Sequence, residues 1–183
     1  LHDPDGSLAV VAPHEIRLIG DPVLRKRTTE VTDVTGALAR LADDMFATMH
    51  EALGIGLAAP QIGVQKRLFV YDHGDGPGVV INPRIEESDG EWVFEEGCLS
   101  VPGLSWEITR PKRIHMVGID LDGNDVSLEV DELEARLFQH ELDHLDGILL
   151  VDHLDDDQQR AARKTLREMP LDRPTGGGGL RLL

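Results

Sequence analysis

The His-Glu-x-x-His string at residues 140–144 constrains this chain more than any other feature of its sequence. Positions four residues apart on an α-helix lie one turn apart on the same face, so the two imidazoles can reach one metal ion. Leu133 and Leu137 share that face, which is therefore the buried face of the helix. Glu141 lies one step round the helix, within reach of a water molecule on the ion. The string predicts a catalytic metal site on a core helix spanning about residues 131–145.

A helix that carries two histidines by chance is the alternative to a metal site. Each buried polar group without a partner costs about 1–3 kcal/mol of stability. Two histidines and an acid on a core-facing stripe are therefore expected to have binding partners. A bound metal is such a partner, and we take the metal site as our hypothesis.

A catalytic site of this kind needs a third protein ligand. In a metzincin-like protease the string is followed by x-x-Gly-x-x-His. Gly147 matches the glycine of that pattern, but the ligand position is occupied by Leu150, which cannot bind a metal. Glu168 lies where thermolysin-like proteases carry their third ligand, although it falls on a basic helix. Cys98 is the remaining candidate, and a free cysteine is most often a small buried hydrophobe. The residues alone leave Glu168 and Cys98 open.

Length and hydrophobic periodicity predict one α+β catalytic domain over residues 1–183. Residues 1–13 are expected to form a loose arm and residues 170–183 a flexible, glycine-rich tail. The predicted helices span about 36–53, 131–145 and 156–168. The predicted strands span 68–71, 79–81 and 91–94, with a hairpin formed by 112–121 and 126–130. Turns are expected at Asp72–Gly78 and Val101–Gly103.

Charge and composition limit the possible partners. The net charge of −16 argues against broad binding to nucleic acids or anionic membranes, and no segment reaches the ~20 apolar residues of a membrane span. From residue 158 onward, however, six basic residues face only two acidic ones, so a basic C-terminal helix could touch RNA or simply be solvated. A single cysteine excludes an internal disulfide and suits the reducing cytoplasm.

Three segments carry a more specific signal when they are taken together. They are Gly54-Ile55-Gly56-Leu57-Ala58-Ala59-Pro60-Gln61, Glu96-Gly97-Cys98-Leu99-Ser100 and Gln139-His140-Glu141-Leu142-Asp143-His144. In order and spacing they resemble the peptide deformylase family, and the stretches Ile19–Arg25 and Arg110-Pro111 are also similar to it. The resemblance covers roughly residues 16–155. It implies antiparallel β-sheets packed around a central metal-binding helix, with a C-terminal helix.

The resemblance also implies a ligand set and a reaction. Cys98, His140 and His144 would bind one divalent ion, ferrous iron in the family, for which zinc, nickel or cobalt often substitutes. Thiolate and imidazole ligands suit both iron and zinc. Glu141 would transfer the proton from water to the leaving amine, and the oxyanion would be stabilised by the backbone N–H of Leu99 and the amide of Gln61.

The expected substrates are N-formylmethionyl nascent peptides. Gly54 and Gly56 would let an extended peptide approach the backbone, as in strand addition. By the resemblance, the methionine pocket is formed by Ile55, Glu96, Gly97, Leu133 and Leu137. Arg110 is expected either to pair with Glu96 and hold the cysteine segment or to be only a surface charge. A transient ribosome contact through the basic C-terminal helix is a further expectation.

Two other functions compete with deformylation. One is a small zinc endopeptidase that uses Glu168 as its third ligand. The other is a non-catalytic metal-binding relative that associates with the ribosome. Glu141 argues against the second, because a structural metal site does not require a base beside it.

Overall fold

A five-stranded antiparallel sheet forms the larger part of the fold. The computed structural model describes residues 13–74 and 76–169. The sheet order is β1-β2-β3-β6-β7, and a separate two-stranded hairpin pairs β4 with β5. The strands are β1 (Gly56–Ala58), β2 (Leu68–His73), β3 (Gly76–Asp89), β4 (Trp92–Cys98), β5 (Val101–Arg110), β6 (Arg113–Ile119) and β7 (Asp125–Asp131).

Three α-helices accompany these strands: α1 (Gly36–Glu51), α2 (Glu132–Leu145) and α3 (Asp156–Glu168). Short 3-10 helices occur at Pro22–Arg25, Ala59–Ile62 and Leu150–His153. Helix α3 begins at an N-cap, where the Asp155 carboxylate accepts a hydrogen bond from the backbone N–H of Gln158 at 2.8 Å. The α+β class and all three predicted helices are confirmed.

Helix α2 packs across the five-stranded sheet through a continuous apolar face. Phe138 on α2 lies with its ring centroid 5.5 Å from that of Phe69 and 4.8 Å from that of Tyr71, both on β2. Ala135 and Leu137 are buried in the same cluster. This packing fixes the rotation of α2, so the face that carries His140 and His144 is turned into the protein.

The β4–β5 hairpin is covered by the C-terminal part of the chain. Cys98, Val101 and Ile108 share a hydrophobic cluster with Leu150 and Leu154, and Ala162 of α3 completes it. The strand that ends at Cys98 is therefore buried from this side.

Two of the turn predictions were wrong. Val101–Gly103 is the start of β5 and not a turn, because the chain already reverses at Leu99–Ser100. Gly103 keeps a positive φ of 78° inside that strand. The segment Asp72–Gly78 is mostly strand as well, because β2 and β3 pair as far as His73 and Gly76.

Several predictions about the chain termini fall outside the described residues. The expected arm lies there except for Pro13, and so does the whole of the expected tail, 170–183. Within the ranges that the structure describes, none of the helices has the length and apolar content that a membrane crossing requires.

Candidate metal centre

Three potential metal ligands meet where α2 passes the end of β4. His140 and His144 lie one turn apart on α2, and Cys98 is the last residue of β4. One ligand atom from each of the three lies within 4.8 Å of the others, and all three residues are buried. The structure thus brings Cys98 to His140 and His144, although it lies far from them in sequence.

The geometry of this group fits a single ion. The Cys98 Sγ and His144 Nε2 atoms are 3.3 Å apart. Ligands at about 2.3 Å and 2.0–2.1 Å from a tetrahedral ion would be roughly 3.5 Å apart. His140 Nε2 is buried and has no hydrogen-bond partner among the described residues, an arrangement that coordination would satisfy.

Electrostatics favour the thiolate form of Cys98, the form that binds metals. Burial alone would raise the pKa of the thiol, but the neighbouring imidazoles of His144 and His140 outweigh that effect. Together they lower the pKa from 9.0 to about 5.

A buried carboxylate orients one of the two histidines. Glu96 Oε2 lies 3.0 Å from His140 Nδ1, so Nδ1 can donate and Nε2 is left free to coordinate. Arg110 donates to both carboxylate oxygens of Glu96, from Nε at 2.6 Å and from Nη2 at 3.0 Å. Burial opposes ionisation of Glu96, but the hydrogen bonds from His140 and Arg110 hold its pKa well below its usual range.

Glu141 has the environment expected of a general base. Its side chain is fully buried, and neither carboxylate oxygen has a hydrogen-bond partner among the described residues. Burial raises its pKa from 4.5 to about 7, and the charges of His140 and His144 only partly oppose this rise. A carboxylate that titrates near neutral pH can both take up and release a proton during turnover.

The backbone of β1 closes over Glu141. A Cβ atom at Gly56 would lie 2.5 Å from Glu141 Oε1 and 2.4 Å from Leu137 Cδ1. A Cβ atom at Gly54 would similarly lie 2.8 Å from Leu99 Cδ1. Both glycines are therefore closely packed against side chains of the site.

Gln61 is held in one orientation beside the cysteine segment. Its Oε1 accepts from the backbone N–H of Ala58 at 2.8 Å, and its Nε2 donates to Ser100 Oγ at 3.2 Å. The amide does cap a backbone group, as expected of a loop residue, yet it keeps a second N–H for another acceptor. Ser100, for which no role was predicted, orients the amide together with the backbone N–H of Ala58.

The residues predicted to form the methionine pocket are grouped around α2. Leu137 is fully buried and Leu133 partly so, and Ile55 packs against the cluster that contains Leu137. Gly97 and Glu96 precede Cys98 on β4, but the Glu96 carboxylate is already taken by ion pairs.

Glu168 does not join the ligand group. It lies exposed near the end of α3, and no acidic side chain among the described residues belongs to the cluster of Cys98 and the two histidines. The third-ligand position considered for a thermolysin-like site is therefore not supported.

Arg136 is a further residue at this site that was not predicted from the sequence. This buried residue lies one turn before His140 on α2, and its Nη1 contacts Glu96 Oε1. A charged residue on the same helical stripe as both histidines was a usable signal, because it must find a partner in the core.

Comparison with known proteins decides the family. The family model described as polypeptide deformylase matches residues 13–160. The chain belongs to the polypeptide deformylase family. A peptide deformylase of Agathobacter rectalis is 52% identical over 145 residues, which cover 79% of this chain and 92% of the relative.

Solved structures agree with this assignment. The peptide deformylase of Legionella pneumophila superposes with a TM-score of 0.82 at 40% identity, covering 86% of this chain and 95% of that one. The enzyme from Thermus thermophilus gives a TM-score of 0.80 at 46% identity, covering 85% of this chain and 93% of that one. The predicted family is thereby confirmed. The predicted activity is confirmed as well: the family consists of metal-dependent hydrolases that remove N-formyl groups from new polypeptides. The group formed by Cys98, His140 and His144 points to one metal ion.

Replacing Gly56 by alanine tests the packing of β1 against Glu141. The new Cβ must push Glu141 or Leu137 aside, and a displacement of ~1 Å in a catalytic group can cost ~100-fold in rate. We expect Gly56→Ala to lower kcat by about that factor. Gly36→Ala is the matched control, because the nearest atom to its Cβ is 3.7 Å away. Equal kcat values for both variants and the parent would contradict this packing argument.

Proposed function

We propose that this protein removes the formyl group from the N-terminal methionine of nascent polypeptides with one ferrous ion, held by Cys98, His140 and His144. The observation that carries the proposal is the convergence of three buried donors, from two separate elements, beside a buried glutamate whose pKa is about 7. When bound, the ion would act as a Lewis acid that activates water and polarises the formyl oxygen.

Proton transfer belongs to Glu141. Its carboxylate is buried beside the ligand group and makes no hydrogen bond to the described residues, so it is available to a water molecule. Glu141 accepts the proton of the attacking water and delivers it to the nitrogen of the leaving amine. Such transfer typically contributes about 10²–10⁴-fold to a rate.

The developing oxyanion is stabilised by donors from this chain. The backbone N–H of Leu99 follows directly on Cys98, and the Gln61 amide is fixed by Ala58 and Ser100 with one N–H to spare. The loss of one such donor usually raises a barrier by about 2.7–4 kcal/mol. Leu99 and Gln61 therefore assist the reaction by binding charge and do not transfer a proton.

The substrate backbone lies along the edge of the larger sheet. Strand β1 is the first strand in the sheet order, so one of its edges is unpaired in the described sheet. An extended peptide can add to that edge at Gly54 and Gly56, because these two residues have no side chain to hinder its approach. The methionine side chain then enters a pocket formed by Ile55, Glu96, Gly97, Leu133 and Leu137.

The setting of the reaction follows from its substrate. Formylated chains are new chains, so we place the protein in the cytoplasm, where a buried thiolate ligand also stays reduced. We also propose that the chain forms a single catalytic domain, because the ligands of one site come from both α2 and β4.

Formate release from formyl-Met-Ala-Ser tests the proposed reaction. Apo-protein loaded anaerobically with ferrous iron should release formate, and Glu141→Gln should reduce the rate by about 10²–10⁴-fold while retaining metal. Cys98→Ala should lose metal binding, whereas Glu168→Gln, the control, should keep both metal and activity. An inactive parent with iron, nickel and cobalt would refute the proposal. A fully active Glu141→Gln variant would refute the role of Glu141.

We further propose a transient ribosome contact through α3. Four basic side chains of α3 are exposed: Arg160, Arg163, Lys164 and Arg167. Arg160 is partly neutralised by Asp157, so the positive charge is concentrated on the later turns of the helix. An acidic body with a cluster of basic side chains on the later turns of α3 would orient the protein toward ribosomal RNA with little sequence selectivity.

Co-sedimentation with ribosomes tests this contact. The double variant Arg163→Glu/Lys164→Glu should abolish binding, and the bound fraction of the parent should fall as salt is raised. Lys112→Glu/Arg113→Glu, on and beside β6, makes the same change in net charge and should still bind. Binding that resists salt, or that both variants lose equally, would contradict a contact through α3.

A further inference from the structure

Arg136 is the largest fully buried side chain among the described residues, with 1% of its surface exposed. It lies on α2, one turn before His140 and on the same face as both histidines. A buried arginine is costly unless its charge and its N–H groups are paired, and breaking such a pair is strongly destabilising. The partners of Arg136 therefore indicate what the residue is there to hold.

Among the described residues, the hydrogen-bond partners of the guanidinium all belong to the β4–β5 hairpin, and Nε has none. Nη1 donates to Glu96 Oε1 and to the backbone carbonyl of Ile108, the latter at 3.0 Å. Nη2 donates to the backbone carbonyl of Trp92. The guanidinium carbon also lies 5.1 Å from the ring centroid of Trp92 and 5.7 Å from that of Phe94, within the range of a cation–π contact. One side chain thus ties α2 to both strands of the hairpin.

The carboxylate that Arg136 holds is connected to two metal ligands. Glu96 lies two residues before Cys98 on β4, and its Oε2 is 3.0 Å from Nδ1 of His140. Any shift of Glu96 relative to α2 would therefore move the sulfur and turn the imidazole away from a common point. Partners of this kind typically contribute about 10–100-fold to metal affinity.

Arg110 also joins the hairpin to α2, but through a more exposed pair. It reaches from β5 to Asp143 on α2, whose side chain is 20% exposed. Contact with solvent weakens that ion pair. The Arg136–Glu96 pair is 1% and 0% exposed, so it is the better-shielded connection between the two elements.

We propose that Arg136 is a positioning residue of the metal centre. It fixes Glu96 and the β4–β5 hairpin against α2, so that Cys98 Sγ and His140 Nε2 face the same ion. The inference rests on the proposed metal site, and it concerns how that site is held rather than which residues bind the ion.

Cobalt binding by apo-protein, measured by competition with a chelator, tests the proposal directly. Arg136→Met keeps most of the side-chain volume but removes the ion pair, so we expect cobalt affinity to fall by about 10–100-fold. Arg136→Lys keeps the positive charge but lacks the planar set of N–H donors of a guanidinium. It should therefore retain more cobalt affinity than Arg136→Met. The visible spectrum of bound cobalt should also change in Arg136→Met, because the thiolate is displaced.

Arg67→Met provides the matched control. Arg67 is 6% exposed and also donates to a carboxylate, that of Asp146, at 2.8 Å, and to the carbonyl of Pro83 at 3.2 Å. It contacts neither Glu96 nor the three ligands, so its loss should lower the melting temperature and leave cobalt affinity unchanged.

Two results would overturn the positioning role while leaving the proposed function intact. In one, Arg136→Met binds cobalt as tightly as the parent. In the other, it loses affinity only as much as Arg67→Met does at an equal loss of melting temperature. If Arg136→Met does not fold, a folded Arg136→Lys variant with parental affinity would overturn the role equally. A parent that binds no cobalt would instead refute the metal site itself.

Discussion

The buried ion pairs of Glu96 join the two parts of the molecule on which the metal centre depends. Helix α2 is positioned by its aromatic contacts with the larger sheet, whereas the hairpin that ends at Cys98 packs against the C-terminal elements. The carboxylate of Glu96 lies between the two and contacts Arg110, Arg136 and His140. The Arg110–Asp143 pair and the bonds from Arg136 to the carbonyls of Trp92 and Ile108 join the same elements. A buried charge cluster of this kind costs desolvation energy that apolar packing would not, so its value lies in fixing geometry.

The same burial that makes this cluster costly prepares the site for chemistry. Exclusion of water raises the pKa of Glu141 toward neutrality, while the neighbouring imidazoles keep Cys98 ionised despite its burial. The pKa values of two neighbouring acidic groups are thus shifted in opposite directions, that of Glu141 upward and that of Cys98 downward. The strand β1 contributes by shape alone, since Gly56 leaves just enough room for the Glu141 carboxylate.

The sequence predicted those parts of the site that are encoded by local periodicity. The spacing of His140 and His144 identified the helix and its buried face without any tertiary information. Cys98 could not be assigned from the residues alone, because its partner His144 is 46 positions away and only the packing of the hairpin brings them together. Strand β5 was missed because Pro102 and Gly103 are typical of a turn. The position of Arg136 on the buried stripe could have been recognised from the sequence, but its role could not be assigned before its partners on the hairpin were known.

The central claim is that one sulfur and two imidazole nitrogens bind a single ion. X-ray absorption at the zinc edge, on apo-protein loaded with one equivalent of zinc, measures those ligands directly. We predict one sulfur at about 2.3 Å and two nitrogens at about 2.0–2.1 Å. A zinc-loaded parent whose spectrum shows no sulfur ligand would contradict this ligand set.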